Sequence, residues 1–250
     1  MLRKILTLFK LGRKIAKSDI LKITSKFRRP PLIVKILFKV LSFSFSSRKE
    51  FDASKDEGER LSSSLETMGT TFIKLGQFLA TRPDIIGEEL SKKLENLQDK
   101  LPPFSLIEAK EIIKKDLGED TFNSIINLSD PVAAASIAQV HKAQINDNGV
   151  IKDVAIKILR PNIKRIFNDE IDAMMLFAFL IESTIKKTKR LKLIEVVFLL
   201  KEITNLEMDL RFEAAAANEY SENTQNDVGF RVPQIYWNFT SENVMTLDWI

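Results

Sequence analysis

Pro131-Val132-Ala133-Ala134-Ala135-Ser136-Ile137-Ala138-Gln139-Val140-His141, followed thirteen residues later by Val154-Ala155-Ile156-Lys157, is the stretch on which the reading of this chain turns. A loop of small residues whose backbone closes over phosphates, with a lysine at the end of an apolar strand one hairpin later, is a way to hold a nucleotide. Ala133, Ala134, Ala135, Ser136, Ile137 and Ala138 would line the loop, and Lys157 would reach the phosphates from one side. Alanine is unexpected there. Glycine lets backbone N–H groups approach closely and takes φ > 0 freely, and methyl groups hinder both. The eight glycines, at 12, 58, 69, 76, 87, 118, 149 and 229, never form GxG, which excludes the dinucleotide fingerprint and the Walker loop.

Outward from this stretch, Asn146-Asp147-Asn148-Gly149 predicts a hairpin between strands at 138–145 and 150–159. Pro161 ends the second strand. Helices are expected at 163–187 and 193–220, then strands at 231–238 and 244–249. Upstream, helical periodicity predicts a helix over 65–80, more helix at 92–97, and a helix at 106–117 that stops at Gly118. The serine-rich, charged segment 42–64 reads as a linker.

Charge is unevenly placed. Net charge is +4, yet residues 1–50 hold fourteen basic side chains against two acidic ones. Residues 1–29 and 32–45 read as basic amphipathic helices split by Pro30-Pro31. Packing on the body and adsorption to a membrane surface both suit such helices. The aromatics there are all Phe, with no base-stacking pattern, so no nucleic acid is expected. No apolar run is long enough for a transmembrane helix, and none has the layout of a secretory signal. The absence of cysteine excludes disulfides and thiolate chemistry, and the single histidine, His141, excludes multi-histidine metal sites.

Three further groups carry candidate chemistry. Glu66, Thr70, Lys74, Gln77 and Thr81 recur at helical spacing and would share one face, and Gly69 and Gly76 would allow close packing. A lysine on a buried strand needs a counter-charge, and Glu213 on the following helix is the best candidate for Lys157. Glu207 and Asp209 would lie about 200° apart on a continuous helix, so both face one site only if the helix is distorted. Glu207 with Arg211 could equally be an exposed ion pair.

In order along 55–250, these segments resemble the UbiB/ADCK family of atypical kinase-like proteins. Lys74-Leu75-Gly76-Gln77 resembles its KxGQ motif, 133–141 its alanine-rich loop, 154–157 its lysine strand, and Glu207-Met208-Asp209 its ExD motif, with Glu213 at the helix-C glutamate. The resemblance implies an α+β fold: a helical N-terminal extension on a kinase-like small lobe with an antiparallel sheet, helix C and a helical insert. The expected domains are 1–50, 51–130 with the KxGQ helix, and 131–250 with an insert at about 160–192. It further implies ATP and Mg2+ as cofactors. Lys157, Glu213, Lys74 and Gln77 would act in catalysis, Glu207 and Asp209 would hold the metal, and Lys74 and Gln77 would sit near both acids. The role implied is that of a kinase or ATPase supporting ubiquinone biosynthesis, peripheral to the cytoplasmic face of the inner membrane. Its partners would be a nucleotide, the membrane surface, and quinone-biosynthesis enzymes or a polyprenyl lipid. The large lobe would lie beyond Ile250, leaving the chain catalytically incomplete unless a separate chain supplies it; a non-enzymatic scaffold or split-gene remnant is the alternative.

Overall fold

The computed structural model describes residues 56–95, 97, 101–184 and 186–250, so the basic helices expected over 1–50 lie outside the described residues. The described residues fall into two compact units: those up to 97 together with 165–202, and those of 101–164 together with 203–250. In chain order the described helices begin with α1 (Glu57–Met68), α2 (Thr70–Ala80), α3 (Pro83–Ile86) and α4 (Glu88–Leu94). Next come α5 (Leu106–Leu117), α6 (Glu119–Asn123), β1 (Ile125–Ile126), β2 (Pro131–Ala134), β3 (Ala138–Asp147) and β4 (Val150–Leu159). The chain continues with α7 (Ile163–Thr184), α8 (Leu193–Glu207), α9 (Leu210–Asn223) and β5 (Val244–Asp248).

In the first unit, Asp56 and Glu59 form a capping box that starts α1, so Ser62, Ser63 and Ser64 are helical and not linker. The helix expected over 65–80 is broken at Gly69, whose φ of 105° ends α1 and opens α2. Glu66 therefore sits on a different helix from Thr70, Lys74 and Gln77. Gly76 does pack closely: a Cβ there would lie 2.3 Å from Leu97 Cδ1 and 2.9 Å from Leu65 Cδ1. Helices α7 and α8 form an antiparallel hairpin. Lys201 lies 4.0 Å from Asp172, and the backbone N–H of Ile194 donates to Glu182 Oε1 at 3.1 Å. Its connection is a 3-10 turn, Lys186–Leu191, so the helix expected to 187 stops earlier.

The second unit is built on an antiparallel sheet in the order β1-β3-β4-β5, with β2 also paired to β3. The β3–β4 turn uses Asn148 and Gly149 with φ of 54° and 89°, the left-handed pair that a tight hairpin needs. Val154, Ile156 and Ile158 alternate onto one face of β4 and pack with Ala109 and Ile113 of α5. Each such aliphatic side chain contributes about 1.5–3 kcal/mol on burial. Ser105 and Glu108 form the capping box of α5, and Gly118 ends it as its sequence implies.

Two more expected elements differ. The helix over 193–220 breaks at Met208–Asp209, because Asp209 takes extended backbone and its side chain caps α9. The strand expected over 231–238 shrinks to a single bridge, Ile235 to Leu247, followed by a 3-10 turn at Trp237–Phe239.

Candidate functional site

Lys157 stands two residues before the end of β4, opposite Val140 of β3 and Met245 of β5. It alternates away from the buried face formed by Val154, Ile156 and Ile158. Its Nζ lies 2.6 and 2.7 Å from the two carboxylate oxygens of Glu213 in the first turn of α9. The side chains are 25% and 49% exposed, and a pair so open to water contributes only about 0–1 kcal/mol to stability. The ammonium is thus fixed in place while still reachable from solvent.

The alanine-rich segment is half strand and half turn. Ala133 and Ala134 pair with Val140 and Gln139, and Ala135 N donates to Ala138 O at 2.8 Å to close the turn around Ser136 and Ile137. Among the described residues the left-handed non-glycine positions are Asn127, Asn148, Asn162 and Lys192. None falls within 133–138. Alanine therefore costs no backbone strain in this turn.

Arg160 had no role in the sequence reading, yet it organises this turn. Its Nε and Nη2 donate to Ala135 O at 3.0 and 2.8 Å. Nη1 donates to Pro102 O at 2.9 Å and Nη2 also to Leu101 O at 3.3 Å, while Arg160 N donates to Ile137 O at 2.8 Å. Only a planar fork with five N–H donors can serve three carbonyls in this way. Nothing in the sequence around Arg160 flags it. Gln139 and His141 were also missed as a unit, although residues two apart on a strand must share a face. Gln139 pairs with the backbone of Phe104 and donates to His141 Nε2 at 2.9 Å. That fixes His141 as the Nδ1–H tautomer, donating to Ser129 O at 2.8 Å. Both side chains are buried, and burial pushes the His141 imidazole below its ordinary pKa.

The helix breaks at Met208–Asp209, so the two acids stand on either side of a joint and not on one continuous helix. Glu207 ends α8, half-buried. Asp209 accepts from Arg211 Nε at 2.9 Å and Nη2 at 2.7 Å, and this guanidinium holds its carboxyl below the usual aspartate range. Leu210 N donates to Glu242 O at 3.0 Å, and Glu242 in turn pairs with Lys164. The described residues contain no group of three or more His, Cys, Asp or Glu placed to hold a metal. Mg2+ needs no such cage, since phosphate oxygens, waters and one or two carboxylates complete its octahedron. Lys74 and Gln77 lie on α2, in the first unit.

Residues 96–250 match the family described as the ABC1 atypical kinase-like domain. The chain belongs to that family. Among curated relatives, "Probable protein kinase UbiB" of Marinobacter nauticus is 37% identical over 192 residues, covering 76% of this chain and 35% of the relative. The proteins of the same name from Cellvibrio japonicus and Vibrio cholerae serotype O1 are 34% and 35% identical, covering 76% and 78% of this chain and 34% and 36% of theirs. The chain thus spans about a third of the length of these relatives. The α+β fold with its antiparallel sheet is the one that the resemblance implies.

Proposed function

We propose that this chain is the nucleotide-receiving part of a UbiB-like atypical kinase or ATPase that supports ubiquinone biosynthesis. The observation that carries the reading is the Lys157–Glu213 pair on the strand that follows the alanine-rich turn. Lys157 would contact ATP phosphates, and Glu213 would keep it aimed when no nucleotide is present. The turn at 133–138 would close over the phosphates. A phosphate would meet Lys157 on its solvent side, where the ammonium has Glu213 as its carboxylate partner and stays 25% exposed.

Mg2+ would supply charge neutralisation between phosphate groups, with Glu207 or Asp209 as protein ligand. Asp209 is already engaged by Arg211, so metal binding there would displace the guanidinium. Lys74 and Gln77 are proposed to meet these acids as the KxGQ lid. The working place would be the cytoplasmic face of the inner membrane, with quinone-biosynthesis enzymes or a polyprenyl lipid as partners. Among the described residues no helix is long and apolar enough to cross a membrane.

Equilibrium binding of ATP to wild type and to Lys157→Ala tests this reading. A loss of at least about tenfold is expected, which is ~1.4 kcal/mol. Equal affinities would remove Lys157 from the site. Chelating Mg2+ should weaken ATP binding and leave adenosine binding unchanged.

A further inference from the structure

The outer side of the α7–α8 hairpin is apolar where a helix pair facing water would be polar. On α7, Phe167, Ile171, Met174 and Ala178 form the buried stripe, while Leu176, Phe179 and Leu180 fall on the exposed side. On α8, Val197 and Leu200 are buried, and Phe198 and Leu199 are exposed. Phe179 and Phe198 are 56% and 57% exposed. Both exposed sets lie in the same span of the hairpin, between the Asp172–Lys201 and Glu182–Ile194 ties. Single exposed apolar residues need no explanation, but a group of them does.

The hairpin's connection is Lys186-Lys187-Thr188-Lys189-Arg190-Leu191-Lys192, basic and without an acid. Lys189, Arg190 and Lys192 are exposed. Lys192 is neutralised by Glu195 at 2.9 Å, and Glu182 is occupied by the Ile194 N–H. Glu202 is the remaining exposed acid on this stretch of α8, more than two turns from the tip. An apolar patch ending in uncompensated positive charge matches an anionic lipid surface, with rings at the acyl boundary and cations at the phosphates. A second copy docking tip to tip would set basic residues against basic residues.

We propose that the tip-proximal half of the α7–α8 hairpin docks on an anionic bilayer surface. Phe179 and Phe198 enter the interface, and Lys189 and Arg190 engage lipid phosphates. The chain has no cysteine, so Ser183→Cys gives one labelling site on the exposed side of α7 with the apolar patch intact. The full chain carrying a polarity-sensitive fluorophore there is mixed with vesicles of phosphatidylcholine and phosphatidylglycerol. Its emission should shift to the blue and be quenched by lipid-borne quenchers. A label at Ile107→Cys on α5 should stay aqueous. Lys189→Glu with Arg190→Glu should lower flotation with vesicles at least about tenfold, since each basic group near such a surface is worth about fivefold. Phe179→Ser should weaken the blue shift without moving the unfolding temperature. Vesicle-bound protein with an aqueous label at 183 would overturn the proposal, as would binding indifferent to the charge reversal. A blue shift that rises with protein concentration in the absence of vesicles would also overturn it, showing a second copy on the patch.

Discussion

Lys157 and Arg160 are three residues apart and illustrate two uses of one charge. Lys157 keeps a single carboxylate partner and an open side, whereas Arg160 donates to three backbone carbonyls. Replacing Glu213 with Gln should therefore leave stability nearly unchanged and weaken ATP binding about tenfold, measured by calorimetry, because an exposed pair adds ~1 kcal/mol or less to folding. Arg160→Lys should behave in the opposite sense. A single ammonium cannot replace the fork, and losing charge-assisted bonds should cost about 2–3 kcal/mol in urea unfolding at constant m-value. The first residue was legible in the sequence because an ammonium on a buried strand demands a counter-charge. The second was not, because its partners are backbone carbonyls, which leave no mark in side-chain chemistry.

The elements show where periodicity informs and where it misleads. The helix at 106–117 was legible to the residue, since Ser105 with Glu108 and then Gly118 punctuate it at both ends. The 193–220 stretch carries no Gly or Pro, so nothing local announces the break at Met208–Asp209. That break rests on the Asp209 side chain and on Leu210 N reaching Glu242 O across more than thirty residues. Asp209→Ala should accordingly cost about 1 kcal/mol of stability through loss of the cap, read by thermal unfolding. Gly69 and Gly76 looked alike in the sequence, yet one is a left-handed joint and the other a packing surface. At Gly76 a methyl would meet the buried ends of Leu65 and Leu97. Gly76→Ala should destabilise by about 1–3 kcal/mol despite its better helix propensity, as overpacking does.

For the whole molecule, the solitary histidine makes acid behaviour readable. The folded-state pKa of His141 lies below that of an unfolded chain, whose ordinary value is 6.5. The unfolded state therefore takes up the proton first. The stability that neutral His141 contributes is complete above that value and is lost as pH falls toward the folded pKa. Asp209, lowered by Arg211, acts in a separate window: its contribution holds above the ordinary aspartate value of 3.8 and disappears as pH drops through its lowered folded pKa. Denaturant midpoints should thus decline between pH 7 and 5 in wild type and stay flat in His141→Gln, both declining further in stronger acid.

Lys157 and Glu213 are separated by 56 positions, and the α7–α8 hairpin occupies most of that interval. Closing such a detour depends only logarithmically on its length, ~0.6 kcal/mol for each doubling. Evolution could therefore lengthen or trim the excursion by whole helical turns with little thermodynamic consequence for the pairing at its base. Length differences among kin should accumulate as whole turns within the hairpin, while its basic tip and positions 157 and 213 are kept.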